Sequence, residues 1–130
     1  MIFIDTSAFY ALVDLSDKHH DLAAQAWASI RDRPDQLACS NYILLETIAL
    51  LQNRLGMAAV LDFISLTNRM AVFWIGIEQH KLAIAALLTS GRGGLSLVDC
   101  TGFETMRSRG IFTAFTFDPH FAEQGFSCIP

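Results

Sequence analysis

No apolar run in this 130-residue chain approaches the roughly 20 residues that a membrane-crossing helix needs, so no membrane span is expected. Charge is scarce too: Asp, Glu, Lys and Arg make up 17% of the residues against 52% hydrophobic ones, a balance that excludes a disordered chain. Cysteines are few and not spaced as pairs. Cys39, Cys100 and Cys128 form no CxxC, which leaves free, buried thiols in a reducing compartment as the expectation. Basic residues are outnumbered, 9 against 13 acidic ones, and a net charge of −4 argues against holding nucleic acid by bulk attraction. It leaves room for an enzyme that meets phosphates through a bound cation. Internal repeats, low-complexity tracts and linkers are also missing, and Met1 to Ile4 lacks the charged leader and cleavage site of a signal peptide. One domain over residues 1–130, located in the cytoplasm, is the expectation. The length is enough to bury a core, and the apolar excess suggests that a partner covers some surface.

What is present begins with MIFIDTSAFYAL. Met1 to Ile4 has the apolar, branched and aromatic character of a strand buried on both faces. Ala8 to Leu12 reads as a short helix, so Asp5 stands where a buried strand hands over to a helix. In open parallel sheets that edge is where ligands bind. Further on, Leu22, Ala23, Ala26, Trp27 and Ile30 recur at helical spacing and predict a helix over 19–33. A short strand at 37–39 leads to helices at 42–55, capped by Ser40 or Asn41, and at 57–69. Then come a strand at 71–75, a helix at 77–89, the SGRGG loop at 90–94, a helix from Ser96 to Gly110, a strand at 112–117, a helical turn at 118–123 and a strand at 126–129. Alternating strands and helices point to a three-layer α/β/α sandwich around a central, mostly parallel sheet. Phe73, Trp74, Phe112, Phe115 and Phe117 are assigned to the core, and Trp27, Phe9 and Tyr10 to a partner groove near the first helix.

Glu46 breaks this pattern. Its neighbours three and four residues away are Tyr42, Ile43, Ala49 and Leu50, so the spacing puts a carboxylate on a buried stripe, where an uncompensated charge is costly. An exposed helix end or a basic partner is the alternative. Asp99 fits the third position of a capping box opened by Ser96. Asp118 fits an N-cap followed by Pro119, and Asp5 fits a cap of its own helix. Capping and a shared site are compatible, because strand ends and early helical turns face one edge of a parallel sheet. Four carboxylates meeting there repel, by ~4 kcal/mol for a pair ~4 Å apart at an effective dielectric of ~20. A divalent cation, or protons on some of the acids, relieves this. Oxygen donors without Cys or His favour Mg²⁺ or Mn²⁺ over zinc. Ser7 and Thr116 flank the acids as partners for a carboxylate or a bound water.

DTSAFYAL, the helical Glu46, SLVDC and FTAFTFDPHF, in that order and across the whole chain, resemble the PIN-domain family, and most of all its VapC-like toxins. The resemblance implies a Mg²⁺- or Mn²⁺-dependent endoribonuclease in which Asp5, Glu46, Asp99 and Asp118 are catalytic metal ligands and Ser7 and Thr116 support them. It also implies products with a 5′-phosphate and a 3′-hydroxyl, a cognate antitoxin and a homodimer. Phe117 departs from the polar or basic residue that many relatives carry there. A non-catalytic PIN-fold module that binds RNA or protein is the alternative, and a receiver-like domain is weighed against the absence of a late lysine beyond Lys81.

Arg92, Lys18 and Arg107 are candidate contacts to the RNA backbone, with Arg109 beside them. GRGG lacks the Lys-Ser/Thr ending of a phosphate-binding P-loop. Asp17, His19, His20 and Asp21 fit no zinc spacing and read as a solvated helix start. His120, two residues past Asp118, could approach a phosphate, and reads first as a surface residue.

Overall fold

The first strand, β1 (Ile2–Ile4), ends in Phe3 and Ile4, both wholly buried, which is what an apolar strand at the centre of a covered sheet requires. In this computed structural model, which describes residues 1–91 and 93–130, β1 has neighbours on both sides. The other strands are β2 (Leu37–Ser40), β3 (Ala71–Phe73), β4 (Thr113–Phe115) and β5 (Ser127–Ile129), arranged β3-β2-β1-β4-β5. Every pairing is parallel, so the sheet is wholly rather than mostly parallel. Register aligns Ile2 with Leu37 on one side and with Thr113 on the other, which brings the carboxyl ends of β1, β2 and β4 level.

The helices are α1 (Thr6–Val13), α2 (His20–Ile30), α3 (Asn41–Arg54), α4 (Met57–Thr67), α5 (Ile77–Ser90), α6 (Leu97–Arg109) and the short α7 (Pro119–Glu123). Strand order runs outward from β1 in both directions. Right-handed crossovers therefore coat both faces and give the α/β/α sandwich. The reversal of order at β1 is a topological switch point, where the loops diverge and open a crevice beyond the strand ends.

Packing fixes α6 against this centre. Gly102 sits where a Cβ would meet Phe3 Cε1 at 3.4 Å and Phe121 Cζ at 3.7 Å, so the missing side chain permits the close approach. Gly110, at φ +65°, ends the helix in a left-handed cap. Phe9 and Phe63 meet edge to face at 5.0 Å in the core, so Phe9 is not a groove residue. Two aromatics assigned to the core are instead outside it. Trp74 and Phe112 are each 73% exposed, because β3 stops at Phe73 and β4 starts at Thr113, one residue short of each.

Candidate active site

Asp5 is the N-cap of α1, accepting from the Ser7 backbone N–H at 3.1 Å, yet it is only 4% exposed. Three donors converge on its Oδ2. The Ser7 hydroxyl donates at 2.6 Å and the Thr116 hydroxyl at 3.1 Å, in addition to the backbone bond. Ser7 Oγ also accepts from the Phe117 N–H at 2.9 Å, and Thr116 Oγ1 accepts from the Asp118 N–H at 2.9 Å. The two hydroxyls, 3.2 Å apart, thereby staple the end of β1 to the end of β4. All three bonds fall on Oδ2, and Asp5 lines the crevice.

The other acids arrive from adjacent elements. Ser40 caps α3, accepting from the Ile43 N–H at 3.2 Å, and two turns of this helix bring Glu46 to the crevice. There the Thr6 hydroxyl donates to Glu46 Oε2 at 2.8 Å. Asp99 and Ser96 form the reciprocal capping box that the sequence suggested, with Ser96 N–H on Asp99 Oδ2 at 2.8 Å and Asp99 N–H on Ser96 Oγ at 3.0 Å. Asp118 caps α7 through the His120 N–H at 2.9 Å. Each cap leaves carboxylate oxygen available to the same space. Asp5, Ser7, Glu46, Asp99 and Asp118 line one cleft of about 340 Å³, together with Thr6, Leu50, Gly94 and Ser96.

The electrostatics are those of unneutralised acids drawn together. Burial pushes the Asp5 carboxyl up to about 6, and the Asp99 charge adds to this while the Ser7 and Thr116 hydrogen bonds oppose it. Glu46 is also held above its ordinary value, first by burial and then by Asp99 and Asp118, against the Thr6 bond. Asp99 is raised by burial and by Asp118, against Ser96 and His120. A divalent cation in the cleft would reverse both causes by neutralising the charges and replacing lost solvent. The donors are mainly carboxylate and hydroxyl oxygens, which fits a hard ion such as Mg²⁺ or Mn²⁺.

The basic candidates are placed differently. Lys18 is exposed in the turn before α2, beside His19, whose ring stacks on Phe117 at 4.3 Å. Arg107 does not line the cleft. It lies eight residues beyond Asp99 on α6, about 12 Å along the axis, and it is engaged by Gln124 at 2.6 Å, by Glu104 at 3.5 Å and by the Phe126 ring. Arg107 lines a different hollow of about 390 Å³ that contains a single acid, Glu104. Arg92 lies outside the described residues. One residue lining the cleft was given no role by the sequence, and one beside it was read first as surface. Thr6 was hidden between more conspicuous neighbours in DTS, and His120 lies against Asp118 rather than on open surface, with its side chain 23% exposed. The DPH spacing was the available signal for His120.

The chain matches the PIN domain family over residues 2–127. It is 35% identical over 128 residues to the 23S rRNA-specific endonuclease VapC20 of Mycobacterium tuberculosis, covering 97% of this chain and 95% of that protein. The crystal structure of that protein, described as a sarcin–ricin loop cleaving toxin, superposes with a TM-score of 0.87 at 34% identity, over 97% of this chain and 96% of the other. The DNA-bound VapBC structure from Salmonella typhimurium shares the fold, with a TM-score of 0.69 at 16% identity over 98% and 97% of the two chains.

Proposed function

The chain belongs to the PIN-domain family, and from that premise we propose that it is a divalent-metal-dependent endoribonuclease, the toxin of a toxin–antitoxin pair. The observation that carries this reading is the convergence of Asp5, Glu46, Asp99 and Asp118 on one cleft at the switch point of the sheet. We assign Mg²⁺ or Mn²⁺ as the cofactor, with all four acids as candidate ligands and Ser7 and Thr116 as the hydroxyls that hold Asp5. When bound, such an ion polarises a phosphodiester and lowers the pKa of a coordinated water.

The chain's own groups divide the remaining work. Asp5 lines the cleft with a carboxylate whose Oδ2 is fixed by three donors, which removes its rotational freedom in advance. Asp99 and Asp118 are fixed by their caps in the same way. Thr6 holds Glu46 at Oε2, and burial, with Asp99 and Asp118, raises the proton affinity of its carboxylate above the ordinary value. Glu46 is the group we assign to accept the proton of the attacking water. Breakage of the bond to the 3′ oxygen then leaves a 5′-phosphate and a 3′-hydroxyl.

For substrate we take a structured RNA loop, by similarity to the relative named as cleaving 23S rRNA at the sarcin–ricin loop. The acidic surface agrees with a partner-restrained enzyme that approaches RNA through its cation rather than by net attraction. We assign two protein partners, an antitoxin and a second copy of the chain. The exposed Trp74, Ile77 and Leu88 form apolar surface that such partners would cover. No helix among the described residues is long and apolar enough to cross a membrane, and we place the protein in the cytoplasm. The test is incubation of purified 23S rRNA with Mg²⁺, Mn²⁺ or a chelator, followed by mapping of the new ends. Discrete cuts bearing 5′-phosphates in metal alone are expected. Intact RNA under all three conditions contradicts the reading.

A further inference from the structure

His120 Nδ1 is buried and satisfied by no hydrogen bond, yet it lies 2.9 Å from Asp118 Oδ1. That oxygen already accepts the His120 backbone N–H at 2.9 Å, and the ring contact is an ion pair only when the histidine is protonated. With its proton on Nε2, the neutral ring makes Nδ1 and Asp118 Oδ1 two acceptor atoms at the separation of neighbouring ligands. At bond lengths of ~2.1 Å, adjacent vertices of an octahedron are ~3.0 Å apart. Asp99 lies beside them, and one donor atom from each of Asp99, Asp118 and His120, a ring nitrogen in the histidine's case, lies within 4.8 Å of the other two. Opposite vertices of the same octahedron are ~4.2 Å apart, so only a small contraction would seat an ion. Gly94 lies near the ring, where an added Cβ would stand 3.8 Å from His120 Cε1 and 4.0 Å from Nε2.

We propose that His120 is a metal ligand through Nδ1, sharing one divalent ion with Asp99 and Asp118, and that this nitrogen donor biases the site toward Mn²⁺ over Mg²⁺. The inference rests on the metal-nuclease reading and adds a residue to it. Imidazole suits transition ions, whereas Mg²⁺ is a carboxylate, carbonyl and water ion. The four acids alone would be close to indifferent on this point, so the preference is the signature of the histidine.

The test uses the full chain without RNA. Mn²⁺ and Mg²⁺ are titrated separately by calorimetry into the native protein, His120→Ala and His120→Asn, with folding checked by circular dichroism. The Mn²⁺-loaded proteins are then examined by pulsed electron paramagnetic resonance for a directly bonded ¹⁴N. The expected result is a ¹⁴N coupling in the native protein that both variants lose, a tenfold or greater loss of Mn²⁺ affinity in both, and less than a threefold change for Mg²⁺. A native protein that binds Mn²⁺ but shows no ¹⁴N coupling, or keeps its Mn²⁺ affinity without His120, overturns the ligand role and leaves the nuclease reading, tested separately on RNA, standing. A native protein that binds neither ion overturns both.

Discussion

Thr6 and Glu46 are joined by a 2.8 Å hydrogen bond across forty positions of sequence, so the residue after one acid of the cleft holds another. Thr47 extends the link, its hydroxyl donating to Thr6 Oγ1 at 3.0 Å. Glu46 is thus positioned by a pair of buried threonines, while Asp5 is held separately by Ser7 and Thr116.

Replacement of Thr6 by Val keeps the shape and removes the donor to Glu46. A hydrogen bond to a charged group contributes about 1.5–3 kcal/mol, and we expect RNA cleavage to fall about tenfold or more while the fold is retained. Thr6→Ser should recover most of the rate. Steady-state cleavage of a short RNA hairpin measures both.

Asp5→Asn should abolish cleavage and yet stabilise the metal-free protein at neutral pH. The native carboxyl is raised from 3.8 to about 6, so the native state binds a proton more readily than the unfolded chain does. Its contribution to stability is complete below about pH 4 and is lost as pH rises through about 6, after which the buried charge is a standing cost of up to ~3 kcal/mol. Asn caps a helix as well as Asp does and carries no charge. In the presence of a chelator, urea unfolding at pH 7.5 should show the variant more stable by ~1–3 kcal/mol, with the advantage shrinking toward pH 4. A variant less stable than the native chain at pH 7.5 contradicts this account of Asp5.

Ser96→Ala removes the hydroxyl that caps α6 by accepting the Asp99 N–H, and keeps the backbone N–H that donates to Asp99 Oδ2. Loss of such a cap costs ~1 kcal/mol, which for a chain of this size lowers Tm by about 3–5 °C. Cleavage at a temperature where the variant is folded should change less than about threefold, because the residue 96 N–H still holds the Asp99 carboxylate. Thermal melts and cleavage rates on the same preparation separate the two effects.

The location of the site was legible because charge on an apolar stripe is expensive. Glu46 inside YILLETIALL and Asp5 after MIFI marked an edge before any topology was known. The capping readings of Asp99 and Asp118 were sound as well, since both caps form and both carboxylates still reach the cleft. Strand order was not legible, because alternation of strands and helices fixes parallel pairing without saying that β1 lies between β2 and β4. Trp74 and Phe112 misled because an apolar run carries no mark of where the ladder stops. Arg107 was out of reach of sequence reasoning for a different reason. Its distance from the acids depends on the direction in which α6 leaves the cleft, and composition carries no such direction. His120 depended on the turn into α7, which folds its ring back against Asp118.

The central claim is that Asp5, Glu46, Asp99 and Asp118 act as one metal-dependent cutting site. It is tested most directly by comparing RNA cleavage by the native protein and by Asp5→Asn, both verified as folded, in Mn²⁺, in Mg²⁺ and in a chelator. The expected result is cleavage by the native protein in metal only, with a loss of at least a thousandfold in the variant. Equal cleavage by both proteins, or cleavage that persists in the chelator, contradicts it.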